Sequence, residues 1–169
     1  MPIIPNASND ELSSPYFRLN KDVCEEFEGF ILSQNGQISG KYNAFSYHVN
    51  GTLEHPKSEI TIKKSSYTTQ GNLFLREDNG LLVRSEWRIH LQKQPLKIKI
   101  KRRWGRLKLN KKKVNSPFFK EILSMLENYL NDIYCIILIE EELIIEWRCE
   151  ELYLNKFAEI RQYIFQNGL

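Results

Sequence analysis

Residues 83–109 read VRSEWRIHLQKQPLKIKIKRRWGRLKL, and the fold is decided by how this stretch pairs. Val83, Trp87, Ile89 and Leu91 alternate with Arg84, Glu86, Arg88 and His90, the period-two pattern of a half-buried strand. The same alternation continues in LKIKIK (96–101) and RLKLN (106–110). Loops at Gln92–Pro95 and Arg102–Gly105 predict two successive hairpins, with Gly105 free to take a positive φ. Chain arithmetic then sets the register. His90 faces Lys97, Arg88 faces Lys99 and Glu86 faces Lys101; in the second hairpin Lys101 faces Arg106 and Lys99 faces Lys108. Leu96, Ile98, Ile100, Leu107 and Leu109 share the opposite, buried face.

Working outward, the remaining segments read as a mixture of strands and helices. Phe45, Tyr47 and Val49 alternate before an Asn50-Gly51 turn. SEITIKK (58–64) and NLFLRE (72–77) are further strands, the latter followed by a turn at Asp78-Asn79-Gly80. On the C-terminal side, Ser116 caps a helix with Pro117 at its first position, and Phe119, Ile122, Leu123, Leu126 and Leu130 form its stripe. YCIILI (134–139) and LIIEW (143–147) are joined by Glu140–Glu142. Both are apolar on both faces, the mark of strands that are central in a sheet or lie under a helix. A last helix spans 152–166, with Tyr153, Phe157, Ile160 and Ile164 on one face.

On the N-terminal side, Asp22 and Glu25 have capping-box spacing ahead of Val23, Phe27 and Ile31, so a short helix is expected over 23–33. Residues 1–21, with three prolines and no sustained period, read as an irregular arm. The expected architecture is one α+β domain over 22–169: an antiparallel meander of about five to six strands, then a helix–hairpin–helix unit.

Charge is unevenly distributed. Residues 1–92 carry nine basic and eleven acidic side chains, residues 93–113 eleven basic and none acidic, and residues 114–169 four basic and ten acidic. In the expected register the outer face of the hairpins is a concentrated positive surface with like charges opposite one another. That is unfavourable by a fraction of a kcal/mol per pair. Such a face suits nucleic acid or another polyanion, because neutralising phosphates releases counterions. The expected contact set is Arg88, Lys97, Lys99, Lys101, Arg102, Arg103, Trp104, Arg106 and Lys108, with Trp104 as a plate for stacking. The competing reading is a solvated strand face whose lysines oppose edge-to-edge aggregation, covered in part by the acidic Glu140–Glu142 turn.

Chemistry finds little support. Cys24, Cys135 and Cys149 are odd in number and widely spaced, so they form no disulfide framework or zinc knuckle. Reduced thiols, with no signal peptide at the start, lead to the expectation of a cytoplasmic protein. The longest apolar run, Ile133–Ile139, is far shorter than a transmembrane span. His48, His55 and His90 lack a partner nucleophile or a metal-ligand spacing, and no glycine-rich phosphate loop is present. No cofactor and no catalytic activity are expected. The expected role is that of a non-enzymatic binding module, with a protein–protein module (adaptor, inhibitor or assembly subunit, working with a protein partner or as a homodimer) as the alternative.

Overall fold

The structure is a computed structural model that describes residues 3–66, 81–92, 97–103, 106–107 and 116–167. It is mixed α+β with a largely antiparallel sheet. The chain divides into two compact units, Met1–Glu54 with Glu59–Ser85, and His55–Ser58 with Glu86–Leu169.

The first unit contains β1 (Ile3–Pro5), α1 (Asn9–Leu12), α2 (Pro15–Ser33), β2 (Gln37–Tyr42), β3 (Tyr47–Leu53) and most of β4 (Ser58–Ser66), together with the start of β5 (Leu81–His90). The region expected as an irregular arm is therefore structured, and the helix expected over 23–33 begins at Pro15. Its true start is Ser14-Pro15. The Ser14 hydroxyl accepts from the Tyr16 N–H at 3.3 Å, and proline sits where no donor is needed. The same Ser-Pro signal, at Ser116-Pro117, opens the first helix of the second unit.

The buried positions of α2 are Phe17, Asn20, Cys24, Phe27 and Ile31, spaced three or four apart along one stripe. Strand β2 pairs antiparallel with β3, Lys41 opposite His48 and Gly40 opposite Val49, while β1 adds in parallel to β2. Ile38, Tyr42, Tyr47, Val49 and Leu53 are buried. Asn50-Gly51 is not a turn; β3 runs straight through it. Gly51 serves a packing purpose instead. A Cβ at this position would lie 2.5 Å from Ile31 Cδ1 and 3.1 Å from Phe27 Cζ.

The second unit contains the rest of β5, then β6 (Ile98–Arg103), β7 (Arg106–Leu107), α3 (Pro117–Met125), β8 (Ile133–Ile139), β9 (Glu142–Trp147) and α4 (Leu154–Gln166). Its strands lie in the order β5-β9-β8-β6-β7. The expected β5–β6 hairpin does not form. The β8–β9 hairpin lies between them, and β6 pairs with β8: Ile98 with Leu138, Lys99 with Ile137, Ile100 with Ile136 and Lys101 with Cys135. The second hairpin does form, in a register tighter than the one expected. Arg103 faces Arg106 and Arg102 faces Leu107. The expected meander therefore breaks between β5 and β6. Two strands with apolar side chains on both faces need neighbours on both edges as well as cover, and β5 and β6 supply those edges.

The core of this unit is aromatic. Trp87 packs against Trp147 at 4.5 Å and against Phe157 of α4 at 5.4 Å, and Tyr129 and Tyr153 extend the cluster from Trp147. Ser116 caps α3 as expected, its hydroxyl accepting from the Phe119 N–H. Arg161 of α4 fastens residues 55–58, donating from Nε to the Ser58 hydroxyl at 3.0 Å and from Nη2 to the His55 carbonyl. NLFLRE, the Asp78–Gly80 turn, Leu96 and Leu109 lie outside the described residues.

Gly51→Ala is expected to destabilise the protein by about 1–3 kcal/mol through overpacking. Adding Ile31→Val, which removes the nearest atom, should recover part of that loss. Urea denaturation of the two variants measures both effects.

Candidate functional site

Strand β6 alternates as its sequence requires. Ile98 and Ile100 are buried, while Lys99 and Lys101 are exposed, as is Lys97 just before the strand. Opposite the two lysines stand Ile137 and Cys135 rather than the cations of a β5 neighbour. The like-charge pairs expected from a β5–β6 hairpin are absent, and the lysine stems lie beside apolar side chains with their ammonium groups outward. Arg103 and Arg106 face each other across the β6–β7 hairpin, keeping one like-charge pair of backbone partners.

Other members of the expected set are placed differently. Arg88 is separated from β6 by β9 and β8, and its Nε donates to Glu86 Oε1 at 2.6 Å. Arg102 is half-buried, and its Nη2 donates to the backbone carbonyls of Leu130 (3.2 Å) and Asn131, closing the turn after α3. Its guanidinium is thereby held by the fold itself. Trp104 and Lys108 lie outside the described residues. The structure therefore brings together Lys97, Lys99 and Lys101 along one strand and Arg103 with Arg106 at its end, and it sets Arg88 apart.

Acidic side chains also enter the neighbourhood. Glu142 Oε1 lies 3.9 Å from His90 Nδ1. An open recess of about 490 Å³ is lined by His90, Lys97, Ile139 and Glu140–Glu142, so the acidic turn flanks the first lysine of the row. At the other end the signs reverse. The irregularity between Ile133 and Cys135 marks Tyr134, and both Arg148 (3.5 Å from the ring centroid) and Lys101 (5.2 Å) lie over its ring. A bulge re-aims the side chain it carries, and an aromatic face attracts cations. Tyr134 and Arg148 were missed by the sequence reading because nothing in the spacing of residues 101, 134 and 148 shows that they meet.

The thiols are set up to stay protonated. Burial pushes Cys24 up to about 12, with Glu28 and Glu25 adding to it; burial and Asp132 push Cys149 up to about 12; and burial raises Cys135. Tyr153, whose hydroxyl donates to Asp132 at 2.6 Å, is raised chiefly by that hydrogen bond. Among the described residues no three His, Cys, Asp or Glu side chains gather as a metal site. No helix among them is long and apolar enough to cross a membrane.

No protein-family model, curated protein or solved structure matches this chain.

An ordinary thiol releases its proton near 9, whereas Cys24 and Cys149 hold theirs to about 12 in the fold. The unfolded chain therefore ionises first. The stability owed to these thiols is complete below about 9 and is lost as pH rises from there through about 12. Urea midpoints should fall as pH rises above 9, with a shallower fall in Cys24→Ala. At pH 8 the native thiols should react with iodoacetamide roughly tenfold or more slowly than those of the urea-unfolded chain.

Proposed function

We propose that this protein is a non-enzymatic binding module that contacts nucleic acid or a similar polyanion through β6 and the β6–β7 hairpin. The observation that carries this reading is the exposed row Lys97, Lys99 and Lys101, followed by Arg103 and Arg106, in a segment without a single acidic residue. A row of ammonium groups along one strand matches the repeating charge of a phosphate backbone and needs no base-specific geometry. Tyr134, beside Lys101, offers a ring at the end of the row. Arg102 belongs to the support of this surface rather than to its contacts, and Arg88 lies outside it. A cytoplasmic setting is part of the proposal, since three unpaired thiols suit a reducing compartment.

The alternative, a protein–protein module, draws support from a different place. Leu12, Tyr16 and Leu19 are exposed around the start of α2, each about half or more accessible. The apolar faces of β8 and β9, by contrast, are largely buried or half-buried.

The test is fluorescence anisotropy with labelled mixed-sequence oligonucleotides, single- and double-stranded. Contact with roughly four phosphates should weaken binding about a hundredfold between about 50 and 200 mM salt. Lys99→Glu with Lys101→Glu should abolish binding while leaving the thermal midpoint near wild type, and Arg88→Glu should leave affinity within about twofold. Unchanged binding in the double variant, or none at low salt, would reject the placement and turn attention to the apolar surface of α2.

A further inference from the structure

The first unit holds a second cationic feature, remote in sequence from the basic stretch. Because β2 pairs with β3, Lys41 lies directly opposite His48, and both are exposed. Thr61 of β4 donates to the Asn50 side chain of β3 at 2.8 Å, which sets β4 beside β3 and carries Lys63 and Lys64 toward the same end of the strands. A pocket of about 170 Å³ opens there, and its lining includes Lys41, His48, Lys63, Lys64, Asn43 and Ser46. None of its lining residues is a carboxylate.

One of these lysines is held in place. Asn20 of α2 is 1% exposed, and its Nδ2 donates to the carbonyls of Asn43 (2.8 Å) and Ala44 (3.2 Å). Those two bonds fix the amide so that its Oδ1 accepts from Lys64 Nζ at 3.1 Å. A lysine ammonium has three donors, and Asn20 takes one while orienting the group. A lysine that merely solvates a sheet face needs no buried amide to aim it. Lys41, Lys63 and Lys64 line one pocket with no carboxylate among them, and a bound anion would offset the repulsion between like charges there.

An adjoining recess of about 480 Å³ shares Asn6, Lys41 and His48 with the pocket and adds Ile4 and Pro5 from β1. The pocket is small and cationic; the recess is wider and has an apolar lip. That division matches a charged head group attached to a larger body.

We propose that this pocket binds the phosphate group of a small phosphomonoester, with the recess receiving its organic part. Lys64 and Lys63 are the principal charge-assisted donors, Lys41 and His48 close the side shared with the recess, and Asn20 acts as a positioning residue for Lys64. The assignment concerns residues of the first unit alone and does not rest on the polyanion surface of β6.

The experiment is a titration of the full chain followed by two-dimensional amide NMR, with inorganic phosphate against chloride at matched ionic strength, then glycerol 3-phosphate against glycerol. Saturable shifts confined to residues around Lys41, His48 and Lys63 are expected with phosphate and not with chloride or glycerol. Tighter binding of the ester supports occupation of both compartments, and equal binding supports the phosphate pocket with free phosphate as ligand. Lys63→Gln with Lys41→Gln, both exposed and safe for folding, should weaken binding roughly tenfold or more. Lys99→Glu with Lys101→Glu should leave it unchanged, which separates this site from the oligonucleotide surface. The absence of saturable phosphate shifts, or their persistence in Lys63→Gln with Lys41→Gln, overturns the proposal.

Discussion

The second unit is organised by one constraint: β8 and β9 carry apolar side chains toward both faces of their sheet. Ile136, Leu138, Leu143 and Ile145 are buried, and on the reverse side Cys135 and Ile144 are buried as well. A hairpin of this kind cannot sit at a sheet edge without exposing both apolar surface and unpaired backbone. It takes a position between β5 and β6, and the rest of the unit is arranged around that choice. Trp147, at the end of β9, meets Trp87 of β5 and brings α4 onto the same cluster through Phe157. Each fully buried aliphatic side chain of the hairpin stabilises the fold by roughly 1.5–3 kcal/mol, far more than any cross-strand charge pair on the outer face.

The same constraint reshapes the charge pattern. A direct β5–β6 pairing would place Arg88 opposite Lys99 and His90 opposite Lys97. The inserted hairpin instead puts Ile137 opposite Lys99 and Cys135 opposite Lys101, and brings Glu142 beside His90. The broad cationic face becomes a single row on β6, ending at the β6–β7 turn. The row is less repulsive than the broad face would be, and it remains uninterrupted by acids along the strand itself. Arg102 is drawn out of it by the backbone carbonyls of Leu130 and Asn131, in the segment that leads into β8.

In the first unit a buried amide has a comparable organising effect. Asn20 lies on the apolar stripe of α2, where an isolated polar group would be costly. Its hydrogen bonds to the β2–β3 turn and to Lys64 satisfy it, and in doing so they join helix, turn and β4 around the pocket.

By itself the sequence determined the local features: which segments alternate, where Ser116-Pro117 starts a helix, that β8 and β9 are central strands, and that Lys97, Lys99 and Lys101 lie on the exposed side of their strand. All of these follow from periods of two and 3.6 and from capping chemistry, which act over a few residues. The Ser14-Pro15 start of α2 was equally legible and was obscured by the capping-box spacing of Asp22 and Glu25 inside the same helix. Strand order was decided only in three dimensions. Alternation specifies a strand's faces and says nothing of its neighbours, so nearest-in-sequence pairing was the natural expectation, and it failed where a more apolar hairpin competed for the same edge. Both candidate sites share that origin. Lys101, Tyr134 and Arg148, and likewise Asn20, Lys41 and Lys64, come from distant parts of the chain, and only the burial of nonlocal apolar surface brings them within reach of one another.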